Sequence, residues 1–204
     1  NERFTSEHIT TIGVDYGTIT LKTNDNKKER RQYKFCLWDT SGHKSFMPIT
    51  KSYFGHSTAC ILVFDLTDMN SFTESIEWYE YYVSMCPGNT VILVGTKVDK
   101  INKSEIKQEN AKLTYGFIGE DKIKDFINDD IPYLEISSFT KQNITELKDL
   151  IINDVNTKIV NGQLVPNTTI GLTMHKLENN EPSPYKYNPT GKKQKESVGC
   201  CTLL

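Results

Sequence analysis

The chain has 204 residues, of which 37% are hydrophobic and 25% charged. That is enough for one globular domain with a sizeable core, and it excludes a disulfide mini-protein, a collagen and a coiled-coil rod. Lysine plus arginine number 24 against 26 aspartate plus glutamate, a formal charge of −2, which gives no electrostatic case for nucleic acid as a partner. The longest apolar runs, Ala59 to Phe64 and Val91 to Val94, fall far short of the roughly 18 residues that cross a bilayer, so any membrane attachment is expected to be peripheral.

In chain order, the β-branched and apolar alternation from Thr11 to Thr23 and the extended pattern from Gln32 to Leu37 predict two strands. The polar stretch Asn24 to Arg31 joins them as a hairpin. Thr58 to Leu66 is a nearly continuous apolar run, the pattern of a strand buried on both faces in a largely parallel sheet. Asn70 to Met85 predicts an amphipathic helix with Phe72, Ile76 and Trp78 or Tyr79 on one side and a cap at Asp68 or Asn70. TVILVGTKVD, from Thr90 to Asp99, is a second buried strand ending in a polar loop. Lys103 to Asn128 has helical composition interrupted at Tyr115 to Gly119, and Pro132 to Ile136 is a short strand. Ile144 to Val160 aligns Leu147, Leu150, Ile151, Val155 and Ile159 on one helical stripe. Cys36, Cys60 and Cys86 sit among apolar residues and read as small core side chains.

Alternating strands and helices of these lengths predict a doubly wound α/β sheet, in which ligands bind outside the carboxyl ends of the strands. After about Asn161 the composition turns to Asn, Pro, Thr, Lys and Gly, so 161–204 is expected to be a disordered tail behind a domain spanning 1–160.

Three polar motifs lie at strand ends. In WDTSGHKSF, Trp38 to Phe46, Asp39 suits a magnesium site beside phosphate, and Gly42 lets a backbone N–H approach a terminal phosphate. Alone, D-x-x-G is also an ordinary turn. In GTKVDK, Gly95 to Lys100, the Asp99 carboxylate matches the two donors on the N1 and N2 edge of guanine, which adenine lacks, while the alkyl stem of Lys97 lies along a ring. A solvated Lys-Asp loop is the competing reading. In EISSF, Glu135 to Phe139, backbone N–H groups near Ser138 suit the guanine O6, although serine-rich turns are common.

In their order and spacing these motifs resemble those of Ras-like small GTPases, and the chain is similar to the Rab family from about Arg3 to Val160. TTIGVDY, Thr10 to Tyr16, resembles switch I; WDTSGHKSF resembles the D-T-A-G-Q-E motif of switch II; TKVD resembles N-K-x-D; EISSF resembles E-T-S-A-K. The resemblance implies a Ras-like G domain, an α/β fold with a mostly parallel sheet flanked by helices. It further implies GTP and GDP as ligands with Mg²⁺ held by Thr11 and Asp39, and Gly42 near the γ-phosphate. Phe4 would pack against the base, with Thr96, Lys97, Asp99, Ser137, Ser138 and Phe139 in the nucleotide site. Tyr16, Trp38 and Tyr53 match the aromatic triad through which Rabs contact effector proteins, and core packing is the competing reading for these rings.

The chain departs from the family in three ways. No G-x-x-x-x-G-K-[ST] occurs in it, so the family's first strand, phosphate loop and first helix are missing from these residues. Asn1 in place of an initiator Met leads us to expect an N-terminally incomplete sequence rather than a truly truncated molecule. His43 stands where the family has the glutamine that positions the attacking water, which predicts slow hydrolysis. Thr96 replaces Asn and Phe139 replaces Lys, which predicts altered guanine contacts.

Cys201-Thr202-Leu203-Leu204 fits the C-a-a-X prenylation pattern, and Cys200 supplies a second lipidation site. Lys192, Lys193 and Lys195 add weak attraction to anionic lipid. The expectation is therefore a lipid-anchored GTP switch of vesicle traffic on the cytoplasmic face of an intracellular membrane, with a cytosolic pool. Its partners would be an exchange factor, a GTPase-activating protein, effectors and the prenylation machinery. The rival expectation is a Rab-like interaction module that is nucleotide-free or does not hydrolyse.

Overall fold

Val14–Lys22 (β1) and Arg30–Thr40 (β2) pair antiparallel in the computed structural model, with Tyr16 opposite Trp38 and Val14 opposite Thr40. The structure describes residues 4, 10–23, 30–55, 57–101, 118, 120–127, 131–164, 174–177 and 201–203. Gly13, just before β1, has φ +79°, a left-handed conformation that glycine adopts without steric cost. Its carbonyl accepts the Ser41 N–H at 2.9 Å, tying the start of β1 to the end of β2.

Ala59–Asp65 (β3), Thr90–Thr96 (β4) and Tyr133–Glu135 (β5) are parallel neighbours. The apolar run that predicts β4 is explained by cover on both faces, whereas β3, expected to be buried on both, leaves Val63 54% exposed. Leu93 enters one cluster with Leu62, Phe64, Phe72 and Tyr82, while Ile92 and Val94 enter another with Tyr33, Phe35, Ile152 and Val155. Helices Met69–Met85 (α2) and Glu120–Ile127 (α3) serve the first cluster, and Ile144–Val160 (α4) serves the second. Asp68 caps α2 by accepting the Asn70 N–H at 2.9 Å. Inside the first layer the Tyr82 hydroxyl meets Ser57 Oγ at 2.7 Å and accepts from Asn89 Nδ2 at 3.3 Å, while the buried Thr50 Oγ1 has no partner among the described residues. Cys36, Cys60 and Cys86 are all buried, as their apolar neighbours predict, but only Cys60 and Cys86 are free thiols and Cys36 is disulfide-bonded.

Two features depart from the expected layout. Met47–Phe54 forms an additional helix (α1). Its eight residues are too few for a clear apolar stripe, and Pro48 stands at its start, where a missing N–H costs nothing. Two short segments of the C-terminal stretch, read from composition as disordered, join the sheet. Met174–Leu177 (β6) pairs antiparallel with Arg30 to Tyr33, and Cys201–Leu203 (β7) lies parallel between β2 and β3. The order is β1-β2-β7-β3-β4-β5, with β6 also on β2. The last of the described strands thus fills the position between β2 and β3. An open sheet edge recruits extended backbone through N–H and C=O groups whatever the side chains, so hydropathy patterning does not reveal such pairing. Only part of Lys103 to Asn128 is described, as α3, and the hairpin tip at 24–29 lies outside the described residues.

Candidate nucleotide site

Because β2, β7, β3, β4 and β5 are parallel, their carboxyl ends share one edge of the sheet. Asp39, Lys97, Asp99 and Ser137 all arrive there, and they form two groups.

The first group surrounds an open cavity of about 590 Å³ lined by Thr10, Thr11, Thr40, Ser41, Gly42 and His43, with Lys44 and Glu74 at its side. Thr11 Oγ1 donates to Asp39 Oδ2 at 3.3 Å, which brings the two expected cation ligands together across 28 residues. Hard oxygen donors of this kind, a hydroxyl and a carboxylate, fit Mg²⁺ with water and phosphate oxygens completing the octahedron. Among the described residues no group of three or more His, Cys, Asp and Glu is placed to hold a metal. Gly42 is exposed at the mouth, and a Cβ built there meets nothing within 4 Å.

His43 is turned to a structural task. It caps the 3₁₀ turn Lys44–Phe46, its Nδ1 accepting from the Ser45 N–H at 3.3 Å and lying 2.6 Å from Ser45 Oγ. In the neutral ring this places the proton on Nε2, so the edge remaining for solvent is a donor only. Lys44 reaches Glu77 on α2 at 2.9 Å, linking the loop to the helix behind it.

The second group is built on the loops after β4 and β5. Ile136 N–H donates to Gly95 C=O at 2.8 Å, and Val98 N–H to Ile136 C=O at 3.2 Å. These bonds set Asp99 beside the wholly buried Ser137, whose hydroxyl donates to Asp99 Oδ1 at 2.5 Å while accepting the Thr140 N–H. Phe4 and Phe139, far apart in sequence, meet edge to face at 5.3 Å between centroids, both largely exposed. Ser138 is exposed beside them. Thr96 Oγ1 is satisfied by Phe64 C=O at 2.8 Å, across the strand pair.

Sequence reasoning missed Asp65. It ends β3 opposite Thr96 and takes the Lys97 ammonium at 2.5 Å. Burial opposes its ionisation, but Lys97 and the two Thr67 donors outweigh that and hold the carboxyl below its ordinary value. The signal was an aspartate closing an apolar run, the same position that marks Asp39.

Tyr16, Trp38 and Tyr53 form one aromatic row, with centroids 4.7 Å and 4.8 Å apart. Tyr16 is half exposed and the other two are intermediate, so the row is a surface feature anchored at its inner end. Cys200 lies outside the described residues, and of Cys201 only the backbone is described. No helix among the described residues is long and apolar enough to cross a membrane.

This architecture, a mixed α/β sheet flanked by helices with these motifs at its carboxyl edge, is a Ras-like G domain. A family model described as the Ras family matches residues 1–157. The chain is 30% identical over 167 residues to Ras-related protein Rab-1D of Dictyostelium discoideum, covering 81% of this chain and 74% of that protein. It is 28% identical to Ras-related protein RabC of the same organism over 174 residues, 82% of each chain. With Ras-related protein Rab-27B of Rattus norvegicus identity is 26% over 197 residues, 91% of this chain and 85% of the other. The chain belongs to the Ras family and is a Rab-like small GTPase by kinship.

Proposed function

We propose that the protein is a Rab-like molecular switch that binds GTP and GDP with Mg²⁺, hydrolyses GTP slowly, and works on a membrane through a C-terminal lipid. The observation that carries this reading is the pairing of Asp99 with Ser137 at the same sheet edge as the pairing of Thr11 with Asp39. The first pair is a guanine selector held in place, because Ser137 fixes one carboxylate oxygen and leaves the other for the base donors. Phe4, Phe139 and the stem of Lys97 wall the base, and the Ser138 region offers backbone N–H groups. The second pair would hold Mg²⁺, which when bound neutralises phosphate charge. Thr11 and Gly42 sense the γ-phosphate, so their segments are the ones a triphosphate orders.

Hydrolysis transfers the γ-phosphoryl group to water and releases GDP. A group that orients this water must both accept from it and donate to phosphate. With Nδ1 engaged by Ser45, the neutral His43 ring offers only the Nε2 donor, which supports a slow intrinsic rate and dependence on a GTPase-activating partner. Effectors would read the Tyr16, Trp38 and Tyr53 row, and Cys200 and Cys201 would carry the lipid. The same His43 geometry favours the second reading, a Rab-like module that binds partners without hydrolysis.

Calorimetric titration of the protein isolated from its own cell with GDP, GTP, ADP and guanosine, with Mg²⁺ present, tests the proposal. Preference for guanine over adenine nucleotides supports it, and equal or absent binding rejects it. Binding without any single-turnover hydrolysis selects the second reading. Mass spectrometry of the same sample tests the anchor, an unmodified C-terminal Leu204 removing it.

A further inference from the structure

The ion pair between Lys97 and Asp65 links the base-binding loop to a neighbouring strand that carries none of the motifs. Lys97 sits just past β4 in the left-handed region, φ 63°. A lysine there is strained, a conformation that persists only where the surroundings fix it. Its side chain is half exposed, yet its ammonium lies 2.5 Å from Asp65 Oδ2. An exposed lysine with a mobile partner would gain little from such a contact, since two flexible chains must be immobilised.

Asp65 is not mobile. Its side chain is 18% exposed, and its other oxygen, Oδ1, accepts both the Thr67 N–H at 2.9 Å and the Thr67 hydroxyl at 2.7 Å. Its own N–H donates to Ser71 Oγ at 2.9 Å, and Thr96 Oγ1 locks the end of β4 to β3 through Phe64 C=O. A carboxylate held by two hydrogen bonds before Lys97 arrives, on a backbone whose own N–H is also fixed, is a firm anchor. The carboxylate also neutralises the ammonium, so Lys97 acts at this site through its alkyl stem more than through its charge.

We infer that Asp65 is a positioning residue that sets the Lys97 side chain as a wall of the base site. The inference rests on the guanine-nucleotide reading, and two readouts separate the fates of the two. The first needs no nucleotide: the rate at which an acetylating reagent labels Lys97 in the folded protein, read by peptide mass spectrometry. Asp65→Asn is expected to raise that rate severalfold and Asp65→Glu to restore part of the protection. The second is the dissociation constant for GDP. Asp65→Asn is expected to weaken GDP about tenfold, and the double variant with Lys97→Met, which keeps the stem and removes the charge, to bind no more weakly than Lys97→Met alone. Unchanged labelling in an Asp65→Asn protein of native circular dichroism overturns the inference. So does a double variant whose losses add, since Asp65 would then act independently of Lys97. A wild-type protein that fails to bind GDP sinks the parent reading, and the labelling rate still decides whether Asp65 sets the position of Lys97.

Discussion

Ser137 donates its hydroxyl to Asp99 across 38 residues, from a position with no solvent exposure. A carboxylate on an exposed loop would otherwise sample several rotamers, and each would present a different pair of acceptors to a base. The buried donor fixes one rotamer before ligand arrives, so the recognition cost is met in folding. Replacing Ser137 by Ala removes a hydrogen bond to a charged group, worth about 1.5–3 kcal/mol. GDP affinity is expected to fall roughly ten- to a hundredfold, and because the buried hydroxyl also accepts the Thr140 N–H, the melting temperature to fall by a few degrees. Calorimetry on the variant checks this, and an unchanged dissociation constant would show that Asp99 needs no such support.

His43 carries the second prediction. The imidazole caps the 3₁₀ turn through Nδ1 and cannot use that atom on water. A glutamine has a carbonyl and an amide on a longer, unbranched stem, hence an acceptor and a donor together. His43→Gln is expected to raise single-turnover GTP hydrolysis about tenfold or more. The turn at Lys44–Phe46 loses its cap in the same variant, so its amide protons should exchange faster. A variant no faster than wild type would mean that the water is oriented by another group.

Much of this was legible in the sequence because β3 and β4 are continuous apolar runs, because polar motifs close β2, β4 and β5, and because Phe72, Ile151 and Val155 obey helical periodicity. Ile144–Val160 matches the expected bounds of its helix, and Asp68 is one of the two caps foreseen for α2. The motifs that hold Thr11, Asp39, Asp99 and Ser137 were each legible by themselves, but the hydrogen bonds Thr11 to Asp39 and Ser137 to Asp99 join residues of different motifs. What escaped depended on contacts between motifs. The grip of Asp65 on Lys97 joins two strand ends, and the role of His43 as a cap depends on the turn that follows it. The seating of Cys201–Leu203 between β2 and β3 is read from backbone pairing, which hydropathy patterning does not register.

Acid sensitivity is the third prediction. Asp65 titrates below its ordinary value of 3.8 in the folded chain. A carboxyl with a depressed folded pKa adds stability above the unfolded value, and that contribution is lost as pH falls through the folded one. The difference in urea midpoint between wild type and Asp65→Asn should therefore be constant from neutral pH to about pH 5, then shrink below the unfolded value. A difference that persists unchanged at pH 2 would show that charge at Asp65 contributes nothing.

Thiol chemistry gives the fourth. Burial among apolar side chains, with a smaller contribution from Cys86, pushes the Cys60 thiol up to about 12. Only the thiolate is nucleophilic, so Cys60 should resist iodoacetamide at pH 8 in the folded protein and react once urea unfolds it. Rapid labelling of Cys60 under native conditions would mean that β3 opens readily at its start.

Gly95 gives the last. It lies buried one residue before the end of β4 with no unusual backbone angle, so its smallness and not its flexibility is at issue. A Cβ there would come within 2.9 Å of Leu66 Cδ2 and 3.0 Å of the Tyr133 hydroxyl. Leu66 is wholly buried, and the Tyr133 hydroxyl is committed to Glu135 at 3.2 Å, so neither end swings away freely. Gly95→Ala should therefore cost about 1–3 kcal/mol as overpacking, against a gain of a few tenths from the stiffer unfolded chain. Because Gly95 C=O accepts the Ile136 N–H that sets the Ser137 loop, the strain should also reach Asp99 and lower guanine affinity. Urea denaturation and GDP titration of one preparation test both parts. A stable variant with weakened binding would place the strain in the loop, and a destabilised variant with normal binding would confine it to the core.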